Sequence, residues 1–192
     1  MIKNYDIIFL HEVDTNCYSW DLLKENLQSC YKLELPNGCK KTELLKGRKS
    51  ISCAFINNKI EKLNYKISIS SENFSGKLKN VQIDIEDVSI VGVHVPINKE
   101  YWNKLLNIKV DIILGDFNAG DYNKATKMSE YKTLLRMGYF DVCNGVITTK
   151  YNTPIDHILV LNKYKDKCFN PTIHYDIRLS DHYPISFELI VN

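Results

Sequence analysis

The chain has 192 residues, of which 44% are hydrophobic and 25% charged, the balance of an ordinary globular protein and not of a disordered or fibrous one. A single domain over residues 1–192 is expected, and a chain of this length buries roughly 70% of its unfolded surface, so its core needs no disulfide or metal staple. The formal net charge of +2 excludes the strongly basic balance that would by itself mark a nucleic-acid binder.

The densest basic stretch is Lys40, Lys41, Lys46, Arg48 and Lys49. It reads first as a solvated loop and second as a patch that follows a phosphate backbone. The six cysteines, Cys17, Cys30, Cys39, Cys53, Cys143 and Cys168, form no CxxC pair, so neither a zinc site nor a compact disulfide framework is expected. Only Ile7 to Leu10 follow the start as an apolar run, too short for a signal-peptide core. No run approaches the roughly 18 apolar residues of a membrane helix. Free thiols and a cytoplasmic location are the expectation.

In chain order, strand-like runs fall at Asp6 to Glu12, Ile51 to Ile56, Tyr65 to Ser70, Val81 to Glu86, Ser89 to His94, Asp111 to Leu114, His157 to Leu161 and Pro184 to Val191. Their apolar residues are branched or alternate at period two. Trp20 to Leu27 is amphipathic, Tyr101 to Leu106 follows a proline turn, and Asp121 to Met137 places Ala125, Met128, Tyr131, Leu134 and Leu135 on one helical face, with Gly138 as a stop. Asn57 to Asn58 and Ser71 to Gly76 read as surface turns. Grouped strands with a few helices between them predict an α+β or layered α/β/α domain.

The chemistry gathers where strands begin or end. Glu12 closes the first strand, and a lone glutamate there is more often surface than ligand. His94 interrupts a buried-looking strand just before Pro96, which alone suggests a satisfied core histidine. In Gly115-Asp116-Phe117-Asn118 the glycine lets the backbone turn, and an acid and an amide two residues apart can share a pocket while Phe117 anchors inward; an Asp/Asn turn explains the segment about as well. Asp156 opens an apolar strand in Thr153-Pro154-Ile155-Asp156-His157-Ile158. Ser180-Asp181-His182 sets an acid beside an imidazole before the last strand, flanked by Leu179 and Tyr183.

The order of these segments, an early strand-end glutamate, HVP, GDFN, a carboxylate before a late strand and SDH near the C-terminus, resembles the motif series of the endonuclease/exonuclease/phosphatase superfamily. The resemblance runs from about Asp6 to Val191. It implies a four-layer α/β/β/α sandwich, an α+β fold with two mainly antiparallel sheets packed face to face and helices outside. It implies a metal-dependent phosphoester hydrolase in which Asp116 orients or deprotonates the attacking water and Asn118 holds the phosphate and that aspartate. His182 lies against a phosphoryl oxygen or acts as acid or base, and Asp156 orients its imidazole. Glu12, with Asp181 as a second contact, implies a hard-oxygen site for Mg²⁺ or Mn²⁺. His94 matches the second histidine of the deoxyribonuclease-I-like branch.

The pattern departs from the family at its start, where members carry an extra strand with a metal-site asparagine. Asn4 is too close to Glu12 to be that residue, so the domain reads as N-terminally short. Either the metal site is then one ligand short, or water or a neighbouring chain supplies the contact, and an open sheet edge would admit a partner strand or a dimer. The leading expectation is a nuclease that takes nucleic acid as substrate. The alternatives are a phosphatase or phosphodiesterase acting on a small or lipid phosphoester, and a non-catalytic binding module.

Overall fold

In β1 (Ile7–Val13) successive side chains serve two faces. Ile8 and Leu10 pack toward a cluster of Trp20, Leu27, Tyr31, Cys53 and Phe55, whereas the Phe9 ring lies against the backbone of Gly92. The computed structural model describes residues 5–36, 51–62, 67–68 and 78–191. The chain divides into two compact units, Met1–His94 and Val95–Asn192.

In the first unit, α1 (Tyr18–Leu27) turns Trp20 and Leu27 inward, a helical repeat apart, and the Trp20 ring tilts onto Phe55. Beneath it lies a sheet in the order β1-β3-β2, with β2 at Tyr31–Glu34 and β3 at Ile51–Asn57, both outer strands antiparallel to β3. Every residue of β3 is buried, because α1 covers one face and a second antiparallel set covers the other. That set is β4 (Ile67–Ser68), β5 (Asn80–Ile85) and β6 (Val88–His94). The two sheets of this unit pack face to face through β1, β3, β5 and β6. The short helix α2 (Asn58–Lys62) follows β3.

In the second unit, α3 (Lys99–Leu105) starts at Asn98, whose side chain accepts from the backbone N–H groups of Glu100 and Tyr101. It buries Tyr101, Trp102 and Leu105, with Trp102 tilted onto Phe117. Strand β9 (Asp156–Leu161) pairs antiparallel with β7 (Ile112–Asp116) on one side and β8 (Tyr139–Asp141) on the other. Helix α4 (Met128–Arg136) buries Tyr131 and Leu134 and reaches β8 through Gly138, which takes the left-handed φ of 97°. A 3₁₀ turn at Asn162–Lys167 leads to a hairpin of β10 (Cys168–Ile173) and β11 (Ile185–Leu189). The architecture is α+β. No helix among the described residues is long and apolar enough to cross a membrane, and no disulfide joins Cys17, Cys30, Cys53, Cys143 and Cys168 to one another.

Several boundaries differ from those expected. The helix foreseen over Asp121 to Met137 exists only from Met128: residues before it are mostly polar and partly exposed, so they bury too little to hold a helix, and Ala125 N–H closes a turn on Tyr122. Asn57 is no surface turn. It is buried at the end of β3, its amide donates to the Tyr5 carbonyl and its oxygen accepts from Lys59 N–H, while Asn58 begins α2. Strands β2 and β8 carried no expected signal because they are short, and β10 carried none because Asn170 and Pro171 interrupt its apolar residues. Within Tyr65 to Ser70, strand is described at Ile67–Ser68. The turn at Ser71 to Gly76, the basic stretch from Lys40 to Lys49, Cys39 and Asn4 lie outside the described residues.

Gly92 sets the spacing of the two sheets in the first unit. A Cβ there would stand 2.3 Å from Phe9 Cδ1 and 2.9 Å from Phe9 Cγ, the inner part of a ring that cannot simply swing clear. Gly92→Ala is therefore expected to cost about 1–3 kcal/mol, read as a lower urea midpoint at unchanged slope. An unchanged midpoint would mean that the ring repacks freely.

Candidate functional site

Asp116 is the last residue of β7 and Asp156 the first of β9, and the register of the ladder sets them opposite each other. Directly opposed residues of an antiparallel pair project to the same face. Each carboxylate has its own donors. Asn118 N–H donates to Asp116 Oδ1 at 2.7 Å, and Asn118 Nδ2 donates to Asp116 Oδ2 at 3.3 Å and to the Val95 carbonyl at 3.1 Å. These bonds hold Asn118 in the left-handed region, φ 48°, which asparagine tolerates better than most residues.

Asp156 receives His182 Nδ1 at 3.0 Å from Oδ1 and 2.9 Å from Oδ2. The Thr148 hydroxyl donates to Asp156 Oδ2 at 2.6 Å and accepts from Asp156 N–H at 3.1 Å. His182 is fixed by its backbone as well, since Thr149 and His182 form a β-bridge and Tyr183 N–H donates to the Thr148 carbonyl. The hydrogen bond to Asp156 pushes the His182 imidazole up to about 9. It outweighs the penalty of partial burial, and the charges of Asp156, Asp116 and Asp181 add to it. With Nδ1 committed to Asp156, Nε2–H is the donor left to face a ligand.

In the first unit the structure brings Glu12 and His94 together, His94 Nδ1 lying 3.4 Å from Glu12 Oε1. Glu12 sits at a register shift in β1 and has φ 54°. In a regular strand it would share the face of Ile8 and Leu10; the irregularity turns its carboxylate toward the second sheet instead. Lys79 donates to His94 Nδ1 at 3.0 Å and lies 3.8 Å from Glu12 Oε1. His11 donates to or accepts from Ser52 Oγ at 2.9 Å. Its Nε2 is sealed from solvent with no hydrogen-bond partner among the described residues. Burial, followed by the charges of His94 and Lys79, lowers this imidazole to about 3, so it is neutral.

Of the residues picked out in the sequence, Asp116, Asn118, Asp156 and His182 thus form one connected group, with Asp181 next to His182 and bonded to the Ser180 hydroxyl. Glu12 and His94 form another. Among the described residues no group of three or more His, Cys, Asp or Glu side chains is arranged to hold a metal ion. Lys79, His11 and Thr148 were missed. Lys79 precedes its strand by one residue, His11 reads as part of a strand, and Thr148 lies in a stretch without periodicity, so no local pattern marks them.

No family model matches the chain, and none of the curated proteins does. Solved structures do. The endonuclease domain of TRAS1, a telomere-specific non-LTR retrotransposon, superposes with a TM-score of 0.70 at 12% identity, covering 98% of this chain and 87% of that one. An AP endonuclease from Archaeoglobus fulgidus gives 0.60 at 15% identity, covering 99% and 91%. The 3′ phosphatase NExo from Neisseria, bound to a product DNA hairpin, gives 0.63 at 14%, covering 97% and 89%. The chain has the deoxyribonuclease-I-like fold that these solved structures share.

The His182–Asp156 pair makes stability depend on pH. The folded value near 9 lies above the ordinary 6.5, so the pair stabilises fully below about pH 6.5 and its contribution is lost as pH rises through 9. NMR titration is expected to place His182 near 9 in the native chain and close to 6.5 in Asp156→Asn. The stability gap between the two proteins should narrow from pH 6 to pH 9.5 in urea denaturation. A native His182 that titrates near 6.5 would contradict the pairing.

Proposed function

We propose that this chain is a metal-dependent hydrolase of nucleic-acid phosphodiester bonds that uses an activated water. The observation that carries the reading is the opposed Asp116 and Asp156, one held by Asn118 and the other locked to His182. Phosphoester hydrolysis needs an acceptor for the proton of the attacking water and positive charge at the phosphoryl oxygens. Two of the similar structures are named as endonucleases and another holds a DNA hairpin product, which supports nucleic acid as the substrate class.

Asp116 is the acceptor. Its oxygens take hydrogen bonds from the backbone and side-chain amides of Asn118, which fix the direction of the carboxylate. As that water's oxygen bonds to phosphorus and the bond to the leaving oxygen breaks, the water's proton passes to Asp116. The amide hydrogens of Asn118 go to Val95 and Asp116, so its work is to aim the aspartate. His182, cationic at neutral pH, donates from Nε2 to a phosphoryl oxygen and stabilises the charge that develops there; its high basicity suits a cation better than a general base. His94 is assigned near the scissile phosphate by its place in the HVP motif.

The donor chemistry fits a magnesium-type ion. Mg²⁺ keeps several waters and takes one or two carboxylates together with substrate phosphate oxygens, so the exposed carboxylate of Glu12 suits it although no cage of three ligands is described. Glu12 and Asp181 are the residues assigned to hold it. When bound, Mg²⁺ or Mn²⁺ supplies Lewis-acid polarisation of the phosphoryl group.

The test is hydrolysis of plasmid DNA, single-stranded RNA, a 3′-phosphorylated oligonucleotide and a chromogenic phosphodiester with Mg²⁺ or Mn²⁺. Chelation is expected to abolish turnover, and Asp116→Ala and His182→Ala to lower kcat by about 10²–10³-fold each. Folded native protein that binds these substrates without cleaving any of them would point to a binding module. Full activity in either variant would remove the role given to that residue.

A further inference from the structure

The mechanism above leaves several buried titratable side chains of the second unit unused, His157 among them. His157 follows Asp156 in β9 and so projects to the opposite face of the strand, where it is 1% exposed. Its Nδ1 lies 2.9 Å from Asp141 Oδ2 and its Nε2 2.7 Å from the Ala119 carbonyl oxygen. Both partners are acceptors, so the ring serves both only with a hydrogen on each nitrogen. Asp141 is built to receive it. The Tyr131 hydroxyl donates to Oδ2 at 2.7 Å and Cys143 N–H to Oδ1 at 2.9 Å. Burial pushes the Asp141 carboxyl up, but the His157 bond and charge, with those two donors, outweigh burial and hold it below its ordinary value.

The far end of this arrangement is the Asp116–Gly120 loop. Phe117 and His157 meet edge to face at 5.3 Å, and the Tyr131 ring packs tilted against the imidazole at 4.5 Å. His157 therefore grips Phe117 and Ala119, the two neighbours of Asn118. Gly120 closes the clamp: a Cβ there would stand 2.3 Å from the Pro154 carbonyl oxygen and make a tight 3.2 Å contact with His157 Nε2, so the backbone can lie this close to the Pro154 carbonyl, beside the imidazole, only without a side chain. The clamp adds to the hydrogen bonds with Asp116 and Val95 that hold Asn118 at its left-handed φ of 48°.

We propose that His157 is a positioning residue that spans from Asp141 to the Ala119 carbonyl and clamps the loop, so that Asn118 keeps its conformation and Asp116 its aim. The proposal rests on the hydrolase reading for its catalytic consequence, whereas the clamp itself is testable without turnover. Glutamine places its amide nitrogen where histidine has Nε2, and asparagine where it has Nδ1. His157→Gln retains the bond to Ala119, and His157→Asn retains only the bond to Asp141.

The experiment pairs kinetics with NMR on the full chain. For His157→Asn, kcat per folded molecule is expected to fall by about 10–100-fold with KM within about twofold, as for a misplaced reacting group. His157→Gln should stay within about threefold of native. The backbone and side-chain amide resonances of Asn118 should move in His157→Asn and hold in His157→Gln. In the native protein, nitrogen-15 couplings should show a hydrogen on both ring nitrogens of His157, a measurement that needs no variant to fold. Equal kcat and equal Asn118 shifts in the two variants, or a bare His157 nitrogen in the native chain, would overturn the clamp. A native chain without turnover whose Asn118 resonances behave as stated would instead refute the hydrolase reading and leave the clamp standing.

Discussion

Two carboxylates face each other across one antiparallel ladder, and the second unit is arranged around keeping them there. Like charges opposite each other destabilise a sheet; at about 5 Å and an effective dielectric constant of about 20, two unit charges repel by about 3 kcal/mol. A fold that only had to be stable would place another residue at Asp116 or Asp156. Instead each acid is given separate compensation: backbone and amide donors of Asn118 for Asp116, and the His182 imidazolium with the Thr148 hydroxyl for Asp156. The two acids are thereby made unequal, one facing a neutral amide and the other a cation.

That inequality explains why segments far apart in the sequence meet here. His182 reaches Asp156 because its own backbone is bridged to Thr149 and the next N–H is bound by Thr148. Thr148 is therefore a joint: its carbonyl fixes the histidine segment and its hydroxyl fixes the aspartate that the histidine meets. A substitution at Thr148 would take the hydroxyl from Asp156 and leave the backbone bond to Tyr183 in place, although the residue neither titrates nor stands at a strand end.

Strand ends were legible in the sequence because a strand rich in branched residues advertises its limits, and Asp116, Asp156 and His94 all fall at such limits. The opposition of Asp116 and Asp156 was not legible. Register depends on which residue of β7 meets which residue of β9, and either strand shifted by one residue would read the same. Glu12 was found as an acid closing a strand, but its aim comes from a bulge and a left-handed backbone, which glutamate does not announce as glycine would. Lys79 escaped notice because a single lysine before a strand is ordinary; its meaning lies in a 3.0 Å contact made across a hairpin. The helix over Asp121 to Met137 was overextended because spacing alone does not show which apolar positions find a core.

The pair Asp156-His157 shows how strand geometry lets one dipeptide act twice. Adjacent residues in β9 point to opposite faces, so Asp156 orients His182 on one side while His157 braces Ala119 on the other. Asp116, directly opposite Asp156 in the ladder, opens the loop that His157 braces. The acid that aims the imidazole and the imidazole that steadies the loop are thus joined through one peptide bond. A shift of β9 by one residue would exchange their faces, leaving His182 without its carboxylate and the loop without its clamp in the same step. The register of this strand, more than any single hydrogen bond, is what makes the site.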